Sequence, residues 1–177
     1  MDHPSVKYGV IGGFASIIIT LIIWFINPDY LFSYGAAIGF IVLIYSMYMA
    51  GKEARELSDG YIDFGEIFKY LFIAFVVVSL ITTIFDYVLI NFIDPSMIER
   101  QKEFSIKISE FIASMFGYEE TLDELTESIE DQELSYTIGT AIQGWIFGMI
   151  FGAIIAAIQG AIMKKNCLLY TSPSPRD

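Results

Sequence analysis

One stretch limits what this chain can become more than any other. Residues 139–163 read GTAIQGWIFGMIFGAIIAAIQGAIM, 25 residues without a charge. At about 1.5 Å per residue, a helix of that length crosses a hydrocarbon core of roughly 30 Å. Gly144, Gly148, Gly152, Ala156 and Gly160 recur at every fourth position. They leave a smooth seam along which a second helix can approach closely and gain van der Waals contact. The spacing predicts that this helix is the packing axis of a small membrane bundle.

Three further apolar blocks precede it, at residues 8–26, 30–50 and 70–93. Hydrophobic residues make up 55% of the 177-residue chain, and because they fall in long blocks the class is an integral membrane protein of one domain. The first block is longer than a secretory signal core and runs straight into the turn Asn27-Pro28-Asp29, so it reads as an uncleaved anchor helix. The loop after it is so short that the first two spans must form an antiparallel hairpin. Gly35 and Gly39 give the second span its own small-xxx-small pair.

Residues 51–69 form a polar connection, closed by Asp63-Phe-Gly-Glu66, which has helix-start spacing. Tyr61, Phe64, Phe68 and Tyr70 fit an interfacial aromatic belt. After the third span, Asp94-Pro95 marks a new helix start, with Asp94 as cap and Pro95 in the first helical position. Residues 97–116 carry Met97, Phe104, Ile108, Phe111 and Met115 on one face and charges on the other. That pattern predicts an amphipathic helix lying in the outer interface, its Phe and Met side chains down. Gly117 breaks it, and the capping box Thr121-Leu-Asp-Glu124 opens a second, acidic helix, which completes an outer hairpin over 94–133.

The formal charge of −11 is concentrated in that hairpin, so it describes a segment and not the whole surface. The run 119–133 lacks the glycine and ligand spacing of a calcium loop, and a solvated helical face is the default reading. No basic cluster suggests nucleic acid. Cys167 is the one cysteine, which excludes a disulfide framework and a thiolate metal pair. The ending CLLYTSPSPRD, residues 167–177, resembles a translated sequencing adaptor, so the natural C-terminus is expected to be missing.

Basic residues set the expected orientation. Lys7, Lys52, Arg55, Lys69, Lys164 and Lys165 fall on one side, against Arg100, Lys102 and Lys107 on the other. The positive-inside rule then places both termini and residues 51–69 in the cytoplasm.

Three stretches carry a family likeness: GYIDFGEIFK at 60–69 leading into a span, NFIDP at 91–95 leaving one, and the glycine-rich final span. Together, over nearly all of 5–165, they resemble the bacterial membrane family known as domain of unknown function 4199. That resemblance implies a four-span protein of the inner membrane of Gram-negative bacteria. It implies no activity, cofactor or catalytic residue.

Asp86 is the sharpest chemical feature, because a carboxyl group inside a span costs about 2.5–3.5 kcal/mol on insertion scales. Gln143 lies at comparable depth on the returning span and could hydrogen-bond to it, with Tyr136 or Tyr34 as alternatives. Two readings stay open, an interhelical clasp and a proton or cation relay. Gln159, Ser79, Thr82 and Thr83 read as interhelical glue. His3 is the one histidine and reads as a solvated tail residue, so no Ser/His/Asp set can be assembled and no zinc site or cofactor is expected.

The expectation is therefore an all-α, integral membrane four-helix bundle with an extracytoplasmic amphipathic hairpin. Its partners are the lipid bilayer and a membrane protein partner or a second copy. It is expected to be no enzyme, and to serve as a structural or accessory protein. The alternative is a small oligomeric transporter or channel with Asp86 in its path.

Overall fold

The computed structural model describes residues 3–116 and 136–164, and its regular elements are helices. Four are long and apolar enough to cross a membrane: α1, Pro4–Ile26; α2, Leu31–Leu57; α3, Phe64–Ile93; and α5, Ile138–Met163. Between the last two, α4 runs over Met97–Phe116 and is amphipathic. The acidic helix expected at 121–133 and the adaptor-like ending at 167–177 lie outside the described residues.

Local chemistry accounts for most helix ends. Pro4 opens α1, where its missing N–H leaves no bond unmade. Asp63 caps α3, its Oδ1 accepting from the Glu66 N–H at 3.0 Å as the sequence spacing predicts. Thr137 does the same for α5, accepting from the Thr140 N–H at 3.2 Å. The polar connection is shorter than expected. Residues 51–57 continue α2, because Gly51 and Ala54 face the core while Lys52 and Glu56 pair on the outer side at 4.0 Å. The turn that remains uses Asp59 at φ 52° and Gly60 at φ 83°.

The packing axis is α3, which corrects the reading that placed it at α5. Helix α3 packs against α1, α2 and α5, whereas α5 meets α3 and touches α2 only lightly. Three glycines in α1 that the sequence reading passed over make close approaches, alongside Gly152 of α5. A Cβ at Gly9 would stand 2.6 Å from Val77 Cβ, and one at Gly13 would stand 2.9 Å from Ile81. At Gly12 it would collide with the Ser46 side chain of α2. In lipid, contact of this kind replaces the hydrophobic drive that folds water-soluble bundles.

The two ends of the bundle differ. One half is closed around Met47, Ala50, Ile67, Leu71, Phe75 and Ala156. At this closed end Lys7 and Glu53 pair at 2.7 Å, Ser5 Oγ donates to the Tyr70 carbonyl at 2.7 Å, and His3 stacks on Tyr70 at 4.8 Å. His3 is thus exposed but placed. The other half splays, and α4 closes part of it. Met97 is buried and Phe104 stacks on Phe32 at 5.8 Å, so the start of α4 docks on protein. Ile108, Phe111 and Met115, farther along, are exposed. Arg100 pairs with Asp29, and Trp24 Nε1 donates to Asp94 Oδ2 at 3.0 Å.

Candidate functional site: the cavity at Asp86

The splayed half encloses a partly open cavity of about 450 Å³ between α1, α2 and α3, roofed by the start of α4 and bordered by Tyr136. Two π-turns flank it. At Leu31–Gly35 the Ala36 N–H bonds back to the Leu31 carbonyl, and at Leu89–Ile93 the Asp94 N–H bonds to the Leu89 carbonyl at 2.7 Å. Each widens its helix by one residue, and such turns recur at functional sites. The sequence reading missed both.

Asp86 lines this cavity, on the same face of α3 as Ser79 and Thr82. From α1 come Ser16 and Thr20, one turn apart, whose hydroxyls the sequence reading also passed over. Their spacing in an otherwise apolar span was the available signal. Among the described residues nothing hydrogen-bonds to Asp86, and no Lys, Arg or His lines the cavity. Among the described residues the carboxyl group is therefore held in a chamber of hydroxyls, rings, aliphatic side chains and the Gln101 amide, with neither clasp nor counter-charge.

Gln143 is not its partner. It stands two residues from both Ala141, which is buried, and Trp145, which reaches α3, so it projects from the opposite side of α5 and is exposed. Tyr34 is 64% exposed and points away as well. Of the residues considered beside Asp86, Tyr136 is the one that borders the same cavity, its carbonyl accepting from Asn91 Nδ2 at 2.9 Å.

The small-residue seam of α5 is divided. Gly152 lies against the Phe75 ring, Ala156 is fully buried, and a Cβ at Gly160 would sit 3.5 Å from Phe64. At Gly144 and Gly148 a Cβ would meet nothing within 4 Å, so within this chain no described neighbour packs against them. The cause is geometric. A four-residue repeat on a helix of 3.6 residues per turn drifts about 40° per step, so a straight neighbour can follow only part of it. Gly39 is equally open and lines the cavity, and Gly35 lies in the π-turn beside it. Gly39, Gly144 and Gly148 border open space where close packing was expected, whereas a Cβ at Gly35 would stand 3.3 Å from Leu31 and 3.7 Å from Ile23 of α1.

Gln159 does bridge helices: its Nε2 donates to the Ile44 carbonyl of α2 at 3.1 Å, while its Oε1 is buried without a partner. Trp145 Nε1 donates to Ser79 Oγ at 3.0 Å, a link between α5 and α3 that the sequence reading did not propose. Thr82 Oγ1 bonds within α3, to the Ser79 carbonyl at 3.1 Å.

Neither a curated protein nor a solved structure matches the chain. A family model does, over residues 7–165, and its description is a protein of unknown function, DUF4199. With nearly all of the described helices inside that match, the chain is a member of the DUF4199 family and a multi-pass membrane protein of four apolar helices.

Proposed function

We propose that this protein is a non-enzymatic binding protein of the bacterial cytoplasmic membrane, whose site is the Asp86 cavity and whose ligand carries positive charge. The observation that carries this reading is a carboxyl group that has no partner among the described residues and faces a chamber of about 450 Å³ with no described basic residue in its lining. Uncompensated charge in apolar surroundings is strongly disfavoured, so a proton or cation gains most where nothing else neutralises it. The cavity lies within one copy of the chain, so such a site does not need the self-association that a pore between four-helix bundles would.

The basic residues support an orientation with both termini in the cytoplasm, which puts the cavity in the outer half of the membrane. The closed half, with Gly12 against Ser46, then lies between the cavity and the cytoplasm. That arrangement fits one state of a carrier whose closed end would have to open for passage. The rival reading, an accessory protein that binds a partner, draws on the exposed Ile146, Ile150, Phe151 and Ile154 of α5. A lipid-facing helix presents the same surface, so those residues do not favour it.

Carbodiimide labelling tests the proposal. In reconstituted vesicles, Asp86 should be modified, as read by peptide mass spectrometry, and monovalent cations should suppress that modification. An Asp86 that never reacts, or reacts at a rate no cation alters, overturns the reading.

A further inference from the structure

We propose that the ligand of this cavity is a monovalent organic cation with an apolar body, and that it enters from the bilayer through a gap between α2 and α5. The proposal rests on reading the cavity as a site for positive charge and narrows what that charge belongs to.

Size and lining argue against a bare ion. Ligand pockets for organic molecules of drug size have volumes of roughly 300–1,000 Å³, mostly apolar walls and a few placed polar groups. The Asp86 cavity, at about 450 Å³, has that character, with Ile17, Leu43, Phe85 and Leu89 among its walls. A metal cation needs several oxygen or nitrogen ligands at once. Among the described residues Asp86 is the one carboxylate in the lining, and no group of three or more His, Cys, Asp or Glu side chains could hold a metal. A single carboxylate suits a single ammonium. The Ser16 and Thr20 hydroxyls stand ready to accept its N–H groups, and the Phe40 and Phe85 rings can face its charge. A lipid phosphate is disfavoured, because no cation lines the cavity to receive it.

The gap follows from register. Helices α2 and α5 meet where Gln159 donates to the Ile44 carbonyl, and again where Gly51 faces Met163. Gly148 precedes Gln159 by eleven residues, about three turns, and so lies on the same face of α5. There a Cβ would meet nothing, so the two helices have already parted. On α3, Asp86 follows Ser79 by two turns, on the face that Trp145 of α5 reaches. Asp86 itself lines the cavity between α1, α2 and α3, and no described α5 residue is in that lining, so the parted α2–α5 space lies beside the cavity, adjoining it where Trp145 bonds to Ser79 of the wall. On the rim of that space Phe40 lines the cavity and is 49% exposed. An amphiphile already in the outer leaflet can reach Asp86 sideways, without passing the roof made by α4.

The experiment uses the full chain in lipid nanodiscs, with decylammonium as probe and decanol, decanoate and sodium as comparisons. Decylammonium should bind saturably, and Asp86→Asn should weaken it by roughly thirtyfold or more, the scale of a lost buried charge partner. Decanol and decanoate should show no saturable binding. Gly148→Leu, which places a side chain in the gap and disturbs no packing contact, should slow association severalfold at nearly unchanged affinity. Equal binding of decanol, or full affinity in Asp86→Asn, overturns the ligand class. An unchanged association rate in Gly148→Leu overturns the lateral route. If sodium binds in an Asp86-dependent way and decylammonium does not, the cavity remains a cation site and this inference alone fails. If neither binds, both fail.

Discussion

The indole of Trp24 donates to the carboxylate of Asp94 at 3.0 Å, and the Ser96 hydroxyl donates to the same side chain. These bonds fasten the end of α1 to the turn that leads from α3 into α4. Together with the Arg100–Asp29 pair they hold the cavity roof over the bundle. The Ser96 hydroxyl first, and then the Trp24 indole, keep the Asp94 carboxyl below the ordinary carboxylate range.

A group depressed in the folded state contributes stability that is complete above its unfolded pKa and is lost as pH falls through the folded value. For Asp94 that window lies below about pH 4. In a Trp145→Phe background, Trp24 emission should stay constant from neutral pH down to that region and change below it. Asp94→Asn should remove the transition. A transition centred near neutral pH would count against the Trp24–Asp94 bond.

Leucine substitutions should separate the two halves of the α5 seam. Gly152 has the Phe75 ring against it, so Gly152→Leu overpacks the α3–α5 contact and should cost about 2 kcal/mol or more. Gly148→Leu enters open space and should leave stability within about 0.5 kcal/mol. Reversible unfolding in mixed micelles measures both, and equal losses would restore the undivided seam.

The contact between Gly12 and Ser46 predicts a rescue. Gly12→Ala puts a methyl group into the Ser46 side chain and should destabilise the α1–α2 pair by about 1–3 kcal/mol. Adding Ser46→Gly should recover much of that loss, because the two positions share one space. A double variant no better than the sum of the singles would mean that the helices meet elsewhere.

Gln159 should be less important than its depth suggests. It donates to the Ile44 carbonyl, and interhelical side-chain hydrogen bonds in membranes average about 0.6 kcal/mol. Replacing it with Met removes that bond but also removes a buried, unpartnered Oε1, and the two effects oppose each other. Gln159→Met should therefore shift unfolding by less than about 0.5 kcal/mol. A loss several times larger would imply a second partner for the amide.

Charge-free length and local capping determined a great deal by themselves. Four spans, the Asp63 cap, the amphipathic α4 and the presence of a carboxyl group deep in the third apolar block were all legible in the residues. Each depends on bilayer thickness, on neighbours a few positions away or on helical period, and those act along one chain segment. Which helix stands at the centre did not follow, nor did the fate of each glycine. Gly9, Gly12 and Gly13 became close contacts beside the expected Gly152, while Gly39, Gly144 and Gly148 came to border open space. Close packing needs a partner surface at a particular crossing angle, and the angle is set by all the helices together. The same holds for Asp86. The sequence placed it inside the membrane, but only the way α1, α2 and α3 splay at that end decided that it faces a cavity and not a neighbour.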